Sequence, residues 1–261
     1  METPTFDFVA VGSPLHDAAA LRRALEPTLH ALASVGGREA RVEAFSGPGP
    51  VAVVVGTGGT ESEVLRLRAL REAASPGDPL LLVTIPAHNS LPAALEALAR
   101  VRQEGGRGRI VHLASPDDAP ALERVSAAIE DLRVLGRLCR SRIGLVGVPS
   151  DWLVASVPAA EAVREVWGPE TVNVDLASLL EAPLREPDDK ALALAASFTD
   201  GASATREAEA AGVRQASTVF SALSDLMARE RLDAVAVRCF DLVTGRGTSG
   251  CLALSALNDA G

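Results

Sequence analysis

From Phe6 onward, short runs of β-branched and aliphatic residues alternate with longer stretches whose apolar residues recur every three or four positions. That alternation constrains the fold more than any other feature, because strand, helix and strand in succession build βαβ units and a mostly parallel sheet. It predicts strands at Phe6–Val11, Ala40–Ala44, Val51–Val55, Pro79–Ile85 and Arg109–Leu113, and helices over Asp17–Ser34, Glu61–Ala74 and Leu91–Gln103. A long helix over Asp118–Arg140 follows, and a fresh buried strand begins at once in "RIGLVGVPSDW". The reading is therefore of two α/β domains, 1–140 and 141–261. The second is expected to contain strand Ile143–Val148, helix Ala159–Trp167, strand Val172–Asp175, helices across Asp188–Ser197 and Ala202–Arg229, and strand Ala234–Cys239. Val213, Ala216, Phe220, Leu223 and Met227 mark the expected core face of the last long helix. Pro- and Gly-rich joints occur at "SGPGP" and "EAPLREPDD".

At 261 residues and 48% hydrophobic composition the chain has ample core for this. A formal net charge of -9 argues against nucleic acid and anionic membrane surfaces as main partners, since both need a cationic footprint. With no Tyr and two Trp, few side chains remain for aromatic stacking: Trp152 and Trp167. Three cysteines without CxxC spacing suggest neither a disulfide framework nor a zinc site, and a reducing cytoplasm is the simplest compartment. The N-terminus lacks a basic region ahead of an apolar segment, and no apolar run approaches the ~20 residues of a membrane span. The expected protein is soluble and its partner an uncharged or polar small molecule.

Ligands of parallel α/β sheets sit at the carboxyl ends of the strands, so four post-strand loops carry the candidates. In "VVVGTGGTESEV" consecutive glycines present N–H groups to an anion, yet Thr60 and Glu63 have capping-box spacing, which explains the loop without a ligand. "TIPAHNSLP" places His88, Asn89 and Ser90 over the sheet edge; His88 suits acid/base or sugar-hydroxyl contact, and Asn89 or Ser90 equally suits the next helix's N-cap. His16 and His30 are read as helical and His112 as lying inside a strand. "VGVPSDWLVAS" sets Ser150 and Asp151 beside Trp152, a plausible sugar-contact surface or a simple capped turn. Asp241, just past a strand in "RCFDLVTGRGTSGC", is a carboxylate able to ligate a hard divalent ion, although one carboxylate is not a metal site.

Taken together, "GTGGTESEV", "PAHNSLPAALEALA", "RIGLVGVPSDWLVAS" and "AVRCFDLVTGRGTSGCLALSALNDAG" resemble, in order and spacing, the shorter members of the L-fucose isomerase and L-arabinose isomerase superfamily. The resemblance implies an α/β fold of two consecutive doubly wound, flavodoxin- or Rossmann-like parallel-sheet domains, followed in the family by a mostly β domain absent here. It implies a homo-oligomer, trimeric or hexameric in the family, and a Mn²⁺-dependent conversion of aldose to ketose through an enediol. By position Asp241 resembles the first acidic metal ligand and a catalytic carboxylate, while His88, Asn89, Ser150, Asp151 and Trp152 fall to sugar contact.

The departure is large. The second acidic ligand is expected shortly after "LNDAG", where this sequence stops, and the family's histidine ligand belongs to the absent domain. The expected identity is thus the N-terminal portion of an isomerase-like protein, with its metal site incomplete and inactive as given, and with the helix Leu252–Leu257 poorly anchored. The other reading is a non-enzymatic, two-lobed sugar or small-molecule binding module. A nucleotide site on the glycine-rich loop is disfavoured, since no acidic ribose partner follows about 20 residues on.

Overall fold

The computed structural model describes residues 5–177 and 187–260. The chain divides into two compact units, Met1–Arg137 and Leu138–Gly261. Both are α/β with wholly parallel sheets. Most of the joint "EAPLREPDD" lies outside the described residues.

The first unit contains β1 (Phe6–Val11), α1 (Ala18–Ser34), β2 (Gly37–Glu39), a 3₁₀ turn at Val42–Ser46, β3 (Val51–Val55), α2 (Glu61–Ala74), β4 (Leu80–Thr84), α3 (Ser90–Gln103), β5 (Gly108–His112) and all but the last three residues of α4 (Ala119–Arg140). Its strands are ordered β2-β1-β3-β4-β5. Two separate cores explain why β3 and β4 are apolar at nearly every position. Ala52, Val54, Leu81 and Val83 face Leu25, Leu29 and Leu32 of α1 and Val125 and Ile129 of α4. Their neighbours Val51, Val53, Val55, Leu80 and Leu82 face Val64 and Leu67 of α2 and Ala94, Ala97 and Val101 of α3. A strand buried on both faces has no solvent side to make polar. This is a doubly wound sheet.

The expected strand Ala40–Ala44 is absent. β2 forms earlier because Gly36, at φ +89, turns the chain straight out of α1 and pairs Gly37 with Phe6. Val42 and Phe45 then sit three residues apart on a 3₁₀ turn, the spacing that sends Phe45 into the core.

The second unit contains β6 (Arg142–Val146), α5 (Ala160–Trp167), β7 (Glu170–Val174), α6 (Asp189–Asp200), α7 (Ala210–Glu230), β8 (Ala234–Val237), α8 (Phe240–Arg246) and α9 (Cys251–Ala260). Its strand order is β7-β6-β8. Val146, Val219, Leu223, Leu226, Leu242 and Ala253 form the core on one face of the sheet. The buried face of α7 is centred on Val219, Ala222, Leu223 and Leu226, whereas Val213 and Ala216 are only half-buried. The apolar stripe read from the sequence is therefore rotated toward the small residues Ser217 and Ser221, both of which are buried. Helix α7 begins at Ala210 and not Ala202, because Gly201 closes α6. The final helix is not poorly anchored: Ala253 is buried, and Leu254 and Leu257 pack on the same core. Among the described residues no helix is long and apolar enough to cross a membrane.

Asp188 caps α6 by accepting from the Ala191 N–H at 2.8 Å and from the Ser221 hydroxyl of α7 at 2.7 Å. The Ser221 bond first, then the Ala191 bond, hold its carboxyl below the ordinary carboxylate range. A depressed folded-state pKa contributes stability that is complete above the unfolded value of ~3.9 and is lost as pH falls through the folded value. Asp188→Asn is expected to flatten the acid limb of the stability profile below pH ~4, read by urea melts across pH; an unchanged profile would refute the linkage.

Candidate functional site

The carboxyl ends of each sheet carry polar loops, and each unit has its own cavity there. In the first unit the loops after β1, β3 and β4 are fastened to one another by buried hydroxyls. Thr57 Oγ1 accepts from the Ser13 N–H at 2.8 Å, and Ser90 Oγ donates to the Val55 carbonyl at 2.5 Å while accepting from the Ile85 N–H at 3.0 Å. Ser90 thus lies inside α3, as a latch between two strands. Asn89 occupies the N-cap position in left-handed geometry, with no capping bond from its side chain.

Thr60 and Glu63 do not form a capping box. Thr60 Oγ1 donates back to the Thr57 carbonyl at 2.8 Å, and Glu63 pairs with Arg66. The hydroxyl is drawn into the loop instead of over the helix end. Between these loops lies a cavity of about 750 Å³ lined by Ser13, His16, Gly58, Glu61, His88 and Asn89, among others. It stands beside β1 and β3, where α1 leads off to one side of the sheet and α2 to the other, the switch point at which such sheets take ligands.

His16 is not helical; it lies in the loop ahead of α1, with Asp17 as the cap. Its ring meets His88 edge-on, the centroids 5.5 Å apart. The sequence reading placed His16 on a helix although its own helix began at Asp17, and Asp17 ahead of an alanine run is an N-cap signal that leaves His16 outside it.

In the second unit, the sheet face opposite the core bears Leu145, Thr171, Asn173 and Ala236, which floor a groove of about 630 Å³. Alternation along the strands dictates this: Val146 and Val174 go to the core, and their neighbours go to the groove. Ser150, Trp152, Arg238 and Phe240 line its wall. Gly147, at φ +91, ends β6 and lets Arg238 pass close: a β-carbon there would lie 2.9 Å from Arg238 Cβ. Trp152 packs edge-on against Phe240 with centroids 6.0 Å apart, and both rings stay largely exposed.

Asp151 is exposed and does not line the groove. Asp241 is not in a loop: β8 ends at Val237, and Phe240–Arg246 is helical, with Asp241 in its first turn. Gly245 is accommodated within that helix, and the turn out of it comes at Gly247, φ +65. Arg238 Nε donates to Asp241 Oδ1 and its Nη1 to the Val148 carbonyl, both at 3.1 Å, clamping the ends of β6 and β8 together. Asp241 shares a second cavity, on the groove's flank, with Asn173, Asp175 and Arg238.

The sequence-derived residues therefore separate: His88 and Asn89 belong to the first unit's cavity, Ser150 and Trp152 to the second unit's groove, and Asp241 to its flank. For a Mn²⁺ centre the fit is poor. Asp241 is already paired with a guanidinium, and among the described residues no three His, Cys, Asp or Glu are grouped to hold a metal ion. No protein-family model and no curated protein matches the sequence, so the chemistry of these two cavities is what defines the candidate function.

Proposed function

We propose that the chain binds a small polyhydroxylated molecule of the sugar class in the groove over Leu145, Thr171, Asn173 and Ala236. The observation that carries this reading is the pairing, in one groove, of two exposed aromatic rings, Trp152 and Phe240, with the polar groups of Ser150, Asn173 and Arg238. A sugar presents an apolar C–H face and a rim of hydroxyls, and such a site offers a counterpart to each.

Asp241 on the groove's flank favours a second, more specific reading suggested by the resemblance to L-fucose and L-arabinose isomerases. There the chain is the sugar-holding N-terminal portion of an aldose–ketose isomerase-like protein acting on an L-sugar. Asp241 would first have to leave Arg238, and any manganese would need ligands beyond those grouped here.

A thermal-shift and tryptophan-fluorescence screen with L-fucose, L-arabinose and their D-counterparts, with and without Mn²⁺ or a chelator, tests both. Sugar at ~100 times its Kd is expected to add about 2.7 kcal/mol of stability, and chelator to leave that gain intact. Trp152→Ala should weaken binding about 2- to 10-fold, the value of one aromatic contact of about 0.5–1.5 kcal/mol. Mn²⁺-dependent ketose formation would establish the isomerase reading, and the absence of any sugar-induced shift would overturn the first.

A further inference from the structure

We propose that the Arg238–Asp241 ion pair positions the walls of the second unit's groove, holding Trp152 and Phe240 at the separation from which they grip a sugar. The proposal rests on the reading of that groove as the sugar site. Asp241 is then a positioning residue that acts through Arg238.

The two rings cannot fix their own separation. They meet edge-on with centroids 6.0 Å apart, but Trp152 and Phe240 are 64% and 63% exposed, so little of either ring is held by packing. They also come from different segments, Trp152 from the loop after β6 and Phe240 from the start of α8, beyond β8. One guanidinium spans both. Arg238 Nη1 donates to the carbonyl of Val148, in the loop that carries Trp152. Its Nε donates to Oδ1 of Asp241, the residue next to Phe240 in the first turn of α8. Each bond is 3.1 Å long.

The backbone prepares this reach. The Arg238 N–H donates to the Val146 carbonyl at 2.9 Å, which sets Arg238 beside the end of β6. Gly147 keeps the space next to it open, since its own missing β-carbon would crowd the Arg238 stem. Charge agrees with an uncharged ligand: Arg238 is the charged residue in the groove's lining, and Asp241 neutralises it from the flank. The two side chains are 28% and 40% exposed, open enough for dissolved salt to screen the pair. Binding of a neutral sugar has no salt dependence of its own, so any such dependence reports the clamp.

The test uses the full chain carrying Trp167→Phe, which leaves Trp152 as the sole tryptophan. Acrylamide quenching of Trp152 is measured first without ligand, then affinity for L-fucose and L-arabinose by calorimetry. Arg238→Met and Asp241→Asn should each raise the quenching constant and weaken sugar binding about 2- to 5-fold, the worth of a partly exposed ion pair. Asp241→Glu, which keeps the carboxylate, should restore both readouts. The double variant should be no worse than Arg238→Met alone, because both changes break one interaction. Raising salt from about 0.05 M to about 1 M should weaken the parent's binding and leave that of Arg238→Met unchanged. Lys190→Met breaks the exposed pair with Asp225 elsewhere in the unit and should change neither readout. Melting temperatures check that each variant is folded.

Unchanged quenching in both single variants, additive losses in the double variant, or an equal effect of Lys190→Met would overturn the proposal. So would a gain in sugar affinity with Mn²⁺ that Asp241→Asn abolishes, since Asp241 would then serve a metal. If no sugar binds the parent while quenching responds as expected, the sugar reading fails and the clamp stands. If sugar binds the parent and every variant alike, the clamp fails and the sugar reading stands.

Discussion

Arg71→Met is expected to lower the stability of the first unit by about 3–5 kcal/mol, the cost of leaving one member of a buried ion pair alone. Arg71 and Asp78 are both buried; Arg71 Nε and Nη2 donate to Asp78 Oδ2 at 2.9 and 2.5 Å, and Nη1 donates to the Gly47 carbonyl at 2.5 Å. One guanidinium thus joins the end of α2, the turn before β4 and the turn before β3. Removing it strands a carboxylate and a carbonyl away from water. The double variant Arg71→Met/Asp78→Leu should recover much of the loss, because an apolar pair of similar volume carries no desolvation penalty. Urea melts followed by far-UV circular dichroism measure it, since both tryptophans lie in the second unit. A loss below ~1 kcal/mol, the worth of an exposed pair, would refute the buried-pair account.

Leu223→Ala should destabilise the second unit by about 2–5 kcal/mol. Leu223 is fully buried in the cluster with Val146, Leu176, Val219, Leu226, Leu242 and Ala253, so truncation removes contacts from α7, β6, α8 and α9 together. Trp152 and Trp167 report this transition. Val166→Ala, on the exposed side of α5, should stay within about 0.5 kcal/mol, and equal effects at the two positions would contradict the assigned core.

Much of the architecture was legible in the chain because burial and periodicity are local signals. "VAVVV" and "LLLVT" announce strands covered on both faces, and Glu61–Ala74 carries its own helical period. Ala40–Ala44 misled because Val42 and Phe45 satisfy a 3₁₀ spacing that mimics a short apolar strand. The α7 stripe holds at Phe220 and Leu223 but shifts elsewhere, because the buried face also takes in Ser217, Thr218 and Ser221, which a hydrophobicity pattern passes over.

The candidate sites were less legible. His88, Asn89, Ser150 and Trp152 are recognisable as post-strand loop residues, a property of the strand endings themselves. That His88 meets His16, that Trp152 meets Phe240, and that Arg238 clamps Asp241 are pairings of another kind. By itself the sequence determined the α/β class, most helix and strand positions and which loops reach the carboxyl ends, since these follow from periodicity along the chain. Only the tertiary structure decided which loops face one another, because strand order β2-β1-β3-β4-β5 and β7-β6-β8 is a property of packing between segments remote in sequence.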